Sequence, residues 1–214
     1  MNIRKPLIAI FVFAALLIPF STWADEGSQN ANHFIDCRLS LGFGPFMYPQ
    51  YVDGGFYINN RPYDLTWYGW QIGLIGQIEY LVPSVKGLGV GLAGVYFTGL
   101  NPSGMDANNT VTRDANKNAP GGFGGGSVSY CLNDKWRMNI IAGYGGTGIP
   151  DYYGGYGPAV SVAFNYLFPH GNIVGGVGVR LILMSLSSPG TTDKRSEKGD
   201  YMAIMAETSI DWIP

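Results

Sequence analysis

The chain has 214 residues, 13% of them charged, with 32 glycines, 14% aromatic residues and a net charge of −2. That length suits one domain, the charged fraction is about half the usual share of a soluble domain, and the near-neutral balance gives no reason to expect nucleic acid as a partner. No apolar run of about 18 residues follows the N-terminal region, so no ordinary transmembrane helix is expected.

The chain opens with a basic pair, Arg4 and Lys5, then an apolar stretch from Leu7 to Phe20, then Thr22-Trp23-Ala24 and the acidic Asp25-Glu26. Basic, apolar and small-x-small segments in that order make a secretory signal peptide over 1–24. The apolar stretch is short for an uncleaved anchor helix, and no cysteine follows the cleavage site to carry a lipoprotein anchor. Residues 25–32 are polar and are expected to form a short periplasmic lead, leaving 33–214 as one domain.

From His33 onward the chain divides into extended segments of period two, the signature of strands. The first, 33–47, sets Leu39, Leu41 and Phe43 opposite Asp36, Arg38 and Ser40. The second, 67–82, is the clearest. Tyr68, Trp70, Ile72, Leu74, Ile78 and Tyr80 share one face; Trp67, Gln71, Gln77 and Glu79 share the other. The third, 88–100, sets Leu88, Val90, Leu92 and Tyr96 against Gly89, Gly91, Ala93 and Val95. The fourth, 122–132, sets Val128, Tyr130 and Leu132 against Ser127, Ser129 and Cys131. In the fifth, 136–146, Trp136, Met138, Ile140 and Tyr144 oppose Arg137 and Asn139. The sixth, 156–168, opposes Val160, Val162, Phe164 and Tyr166 to Ser161 and Asn165. The seventh, 173–186, opposes Val177, Val179, Leu181 and Leu183 to Gly178 and Arg180. The eighth, 201–212, opposes Met202, Ile204, Ile210 and Trp212 to Glu207, Ser209 and Asp211.

Connections alternate in length. Residues 83–86, 133–135 and 169–171 are tight turns rich in Pro, Asn, Asp and Gly. Residues 49–66, 101–121, 147–155 and 187–200 are longer. An even number of strands with short turns at one end and long loops at the other predicts an all-β, eight-stranded, antiparallel up-and-down transmembrane β-barrel. Both termini then fall on the short-turn side, which is periplasmic, and the long loops are extracellular. A secreted soluble barrel alternates too, with its apolar face inward. Its outer face would carry lysines, whereas Lys86 and Lys135 fall in turns and Lys117, Lys194 and Lys198 in long loops. A lipid-facing Lys or Arg at the midplane costs about 2–4 kcal/mol, which accounts for that exclusion. Aromatic residues flank both ends of the apolar faces, as at the two interfaces of a bilayer.

On these features the chain resembles the small eight-stranded outer-membrane barrels of the OmpA, OmpX and OmpW type, over most of 33–214. The resemblance is architectural and selects no subfamily. It implies outer-membrane lipids and the barrel-assembly machinery as partners. It also implies, for the OmpW type, a route for apolar solutes out through the wall. Those proteins usually end on an aromatic residue; here Trp212 is followed by Ile213-Pro214.

The inward face is expected to carry Asp36, Arg38, Glu79, Arg137, Arg180, Glu207 and Asp211. An interior of eight strands is just wide enough for side chains to fill it, and charges there must pair. A structural network plugging the lumen is the leading reading. A narrow channel gated by Arg137 and Arg180 against Glu79 and Glu207 is the alternative. Gly73, Gly89, Gly91 and Gly178 on the same face make room for side chains or for tight curvature.

No catalytic activity is expected. A lipid-modifying barrel enzyme needs His and Ser near the outer leaflet, and His33 and His170 fall at a strand start and a short turn. No cofactor or metal is expected either. Asp106 and Asp114 lie in a loop whose Asn and Asp content is turn-forming, and the glycines of 121–126 lack the Lys-Ser/Thr and helix of a phosphate loop. Cys37 and Cys131 fall on strands that do not adjoin in a simple meander, which argues against pairing. Tyr57, Arg61, Tyr63, Tyr152, Tyr153 and Tyr156 are candidates for contacts made by the long loops, or for the upper aromatic belt. The function expected is thus a structural or loop-displaying barrel with a plugged lumen, with a narrow conduit for small solutes, polar or apolar, as the alternative.

Overall fold

The computed structural model describes residues 35–52, 65–105, 111–114, 118–149, 153–170, 173–188 and 197–212. The expected signal peptide over 1–24, the expected polar lead over 25–32 and His33 lie outside them. The strands are β1 (Ile35–Val52), β2 (Leu65–Leu81), β3 (Leu88–Met105), β4 (Val111–Asp114), β5 (Ala119–Asn133), β6 (Trp136–Ile149), β7 (Tyr153–His170), β8 (Ile173–Ser188) and β9 (Glu197–Trp212). Every pairing is antiparallel, each stave adjoins the next, and β1 pairs β9 to close the ring. Closure removes the sheet edges that would otherwise be left unpaired in hydrocarbon. Eight strands form the wall; β4 is a short addition that pairs only the far end of β3, through Ser103, Gly104 and Met105.

The staves run further toward the long-loop end than alternation alone indicates. Pro49 still lies opposite Thr66, and Lys198, expected in a loop, lies opposite Tyr51 and Ser187. A spanning strand needs about 9–11 residues, so strands of 14–18 residues carry their hairpins past the hydrocarbon. Asn101 and Pro102, which read as the start of a loop, are instead two residues of β3 set against Gly69 of β2. Asn101 takes a φ of 43° there, the left-handed conformation that Asn tolerates and that a bulge supplies.

Short turns close the opposite end. In the turn after β2, Val82 N–H donates to Leu88 O at 2.9 Å and Val85 N–H to Val82 O at 3.1 Å. In the turn after β5, the side-chain oxygen of Asn133 accepts from Lys135 N–H and Trp136 N–H, both at 2.9 Å, an Asx turn. Pro169 and His170, expected in the third turn, still pair Val174 and Ile173 as the last residues of β7. Cys37 lies opposite Trp212, so the first and last staves begin and end on this side.

The distribution of side chains is that of a body inverted for lipid. Leu92 is 73% exposed and Ile78 61%, while Arg180 and Asp211 are fully buried. A soluble barrel would have those environments exchanged. Aromatic pairs mark both rims: Phe43 stacks on Trp70 at 5.1 Å on one side, and Trp136 stacks on Phe164 at 4.9 Å and meets Tyr166 edge-on at 4.9 Å on the other. Tyr156 is exposed on the outer wall opposite Gly146, which places it in the upper belt.

Candidate functional site

Everything chemically distinctive among the described residues lies inside the barrel. Alternation along each stave sends one residue in two inward, and register decides which of these meet. Arg38 lies between Gln77 of β2 and Asp211 of β9, and Asp36 lies opposite Glu79. Across the lumen, Arg137 reaches the same group from β6.

The resulting cluster holds five of the seven inward charges expected from the sequence. Arg38 Nε donates to Asp211 Oδ1 at 2.6 Å, its Nη1 to Gln77 Oε1 at 3.2 Å and its Nη2 to Asp36 Oδ2 at 3.3 Å. Glu79 Oε2 is 3.7 Å from Arg38 Nη2. Glu79 also accepts from Gln77 Nε2 at 2.5 Å and from the Ser129 hydroxyl. Arg137 Nη1 donates to the second oxygen of Asp211 and lies 3.7 Å from Asp36 Oδ2. The other two charges form a second cluster nearer the barrel middle. Arg180 grips Glu207 through Nε and Nη2, the latter at 3.1 Å, while its Nη1 donates to Ser161 Oγ at 2.7 Å. Asn165 Nδ2 donates to the same carboxylate at 3.0 Å. A bidentate guanidinium–carboxylate pair with its remaining atoms hydrogen-bonded is the arrangement that best offsets the desolvation of burial.

The inward glycines divide between the two roles open to them. A Cβ on Gly89 would lie 2.7 Å from Ser129 Oγ and 2.9 Å from Glu79 Oε2, so that glycine makes room for the carboxylate. A Cβ on Gly91 would run into the carbonyl of Ile78, so there two backbones approach closely. Gly89→Ala is expected to lower stability by about 1–3 kcal/mol through overpacking. A urea midpoint equal to that of the parent would show that Glu79 moves aside freely.

Above the ionic clusters, toward the long loops, the lumen changes character. Phe46, Tyr48, Trp67, Phe97 and Tyr201 are all buried there. The Tyr201 ring stacks on Phe46 at 5.6 Å and on Phe97 at 4.9 Å, and its hydroxyl donates to Gln71 Oε1. This layer is absent from the set of residues picked out by charge. Its signal is parity: Phe46 and Tyr48 continue the inward series of Asp36, Arg38 and Ser40, and Trp67 that of Gln71.

Both cysteines are free. Cys37 follows the outward parity of Ile35 and Leu39, whereas Cys131 lies on the lumen side, its sulfur accepting from Arg137 Nε at 3.4 Å. The glycines of 121–126 are part of β5, paired on both sides, and form no loop. Asp114 belongs to β4; Asp106, Tyr57, Arg61, Tyr63 and Tyr152 lie outside the described residues.

No protein-family model and no curated protein matches the sequence. Among solved structures, the chain is similar to the outer membrane protein OprG of Pseudomonas aeruginosa, with 14% identity over 84% of this chain and 96% of that one, at a TM-score of 0.47. It is similar to the outer membrane protein AlkL, with 14% identity over 89% and 97% at a TM-score of 0.46. It is also similar to the outer membrane protease OmpT of Escherichia coli, with 11% identity over 87% and 99% at a TM-score of 0.41.

Proposed function

We propose that the protein is a non-catalytic outer-membrane barrel whose lumen is closed and whose surface role is carried by its long loops. The long loops then face the outside, both termini face the periplasm, and the partners are outer-membrane lipids and, during biogenesis, the barrel-assembly machinery. The observation that supports a closed lumen is its filling in series: two hydrogen-bonded ionic clusters, then a layer of stacked aromatic rings. Ions would have to displace both. The test is single-channel recording of the refolded mature protein in a planar bilayer, with heat-dependent gel mobility to show that it is folded. Folded protein without conductance steps is the expected result. Discrete steps that change in Arg180→Ala would replace this reading with that of a gated channel.

One observation favours a second reading. The half of the lumen nearest the long loops is lined by Phe46, Trp67, Phe97, Met184 and Leu186, surfaces suited to a small apolar solute and not to an ion. A barrel that passes such solutes would be silent in conductance yet would admit a small apolar quencher to Trp67 from the loop side. Trp67→Phe identifies that signal against the other tryptophans. A lipid A mass profile unchanged by deletion of the gene separates either reading from an enzyme that modifies lipid.

A further inference from the structure

Among the described residues, the charges in the lumen are matched in one cluster and mismatched in the other. Arg180 and Glu207 form a one-to-one pair. The cluster nearer the short turns sets three carboxylates, Asp36, Glu79 and Asp211, against two guanidinium groups, Arg38 and Arg137. The shortfall falls on one residue. Asp211 has a guanidinium on each oxygen. Glu79 has a donor on each oxygen, from Gln77 and Ser129. Asp36 meets Arg38 at 3.3 Å and Arg137 at 3.7 Å through Oδ2 alone, and its buried Oδ1 has no hydrogen-bond partner among the described residues. Among the described residues, the charged groups facing Asp36 are therefore Arg38 on its own strand, Glu79 on β2, Arg137 on β6 and Asp211 on β9.

A carboxylate buried without full compensation neutralises instead of staying charged. A metal cation fits the place poorly. Asp36 Oδ1 is one oxygen where a cation needs several, the other carboxylate oxygens of the cluster already accept hydrogen bonds, and two guanidinium groups stand beside it. We infer that this cluster closes around one exchangeable proton, so that the short-turn half of the lumen is tightest in acid and loosens as the surrounding solution becomes alkaline. The three carboxylates are in mutual reach, so the proton belongs to the cluster as a coupled unit. The inference holds whether or not the lumen conducts.

The sign follows from proton counting. In the unfolded chain an aspartate is ionised above about pH 4, so the folded barrel binds one proton more than the unfolded chain. Stability therefore falls as pH rises, until the cluster has itself lost the proton. The experiment compares the full mature barrel with its Asp36→Asn variant in thermal melts from about pH 3.5, below the unfolded aspartate's titration, to about pH 9, read by gel mobility. Asp36→Asn supplies the neutral form permanently. The two proteins are expected to melt together at low pH, with the parent falling behind by about 5 °C at high pH. Parallel profiles across the range would overturn the inference. So would a parent midpoint that follows sodium, potassium or calcium concentration at fixed pH, which would assign the missing charge to a cation. If Asp36→Asn does not fold, the parent alone decides. Refolding over the same pH range, in pairs of buffers of different ionisation enthalpy, should show net proton uptake above about pH 5 that disappears once the cluster itself deprotonates, and release or no uptake at every pH overturns the inference.

Discussion

Arg180→Met is expected to destabilise the barrel by about 3–5 kcal/mol, the loss seen when one partner of a buried ion pair is removed. Arg180 is fully buried, and it is the guanidinium that grips Glu207. Methionine fills most of the volume but leaves the carboxylate with Asn165 as its remaining hydrogen-bond donor in that cluster. It also removes the donor that satisfies Ser161 Oγ. Urea unfolding of the protein refolded in lipid vesicles, followed by gel mobility, reads the effect as a lower midpoint. Adding Glu207→Leu should restore most of the loss, because the uncompensated charge goes with it. Lys86→Ala, in an exposed turn, serves as the control and should leave the midpoint where it was. A single mutant as stable as the parent would mean that Glu207 finds water or another cation inside the barrel, and the closed lumen would then be in doubt.

The same residues show what sequence alone could and could not deliver. A charge in the middle of an apolar strand is conspicuous, so Arg38, Arg137, Arg180 and their acids stood out, and period two assigned all seven to one face. The tight turns were legible for the same local reason: Asn133 makes in the structure the side-chain-to-backbone bonds for which Asn is common in turns. Strand ends were harder. Pro49, Asn101 and Pro102 are residues that usually stop a strand, and here a bulge absorbs two of them while the hairpins continue. The short β4 had no alternation to reveal it. The aromatic layer was hidden for a different reason. A Phe facing the lumen and a Phe facing lipid are the same letter in an apolar strand, and only its position in the count distinguishes them. Whether the charges balance locally was also beyond the sequence. Four acids and three arginines look nearly matched until register divides them into a cluster of one against one and a cluster of three against two.

Tyr201→Ala is expected to cost about 3–5 kcal/mol, the range for emptying a buried aromatic site. The ring stacks on Phe46 and Phe97 with interplanar angles of 18° and 19°, and Tyr48 meets it at a tilt, so its removal opens a gap among three buried rings. Tyr201→Phe separates the hydroxyl from the ring. It keeps the stack but deprives Gln71 Oε1 of its donor, and Gln71 Nε2 already lacks a partner, so a smaller loss of about 1–3 kcal/mol is expected. The difference between the two variants measures how much of the upper lumen is held by packing and how much by that one hydrogen bond. Conductance supplies the second reading of the same pair. Emptying the aromatic layer still leaves Arg180 with Glu207 and the Asp211 cluster across the path, so a folded Tyr201→Ala barrel should stay silent in a planar bilayer. If it conducts, the rings were the only barrier, and the ionic clusters below them line a pore they do not block.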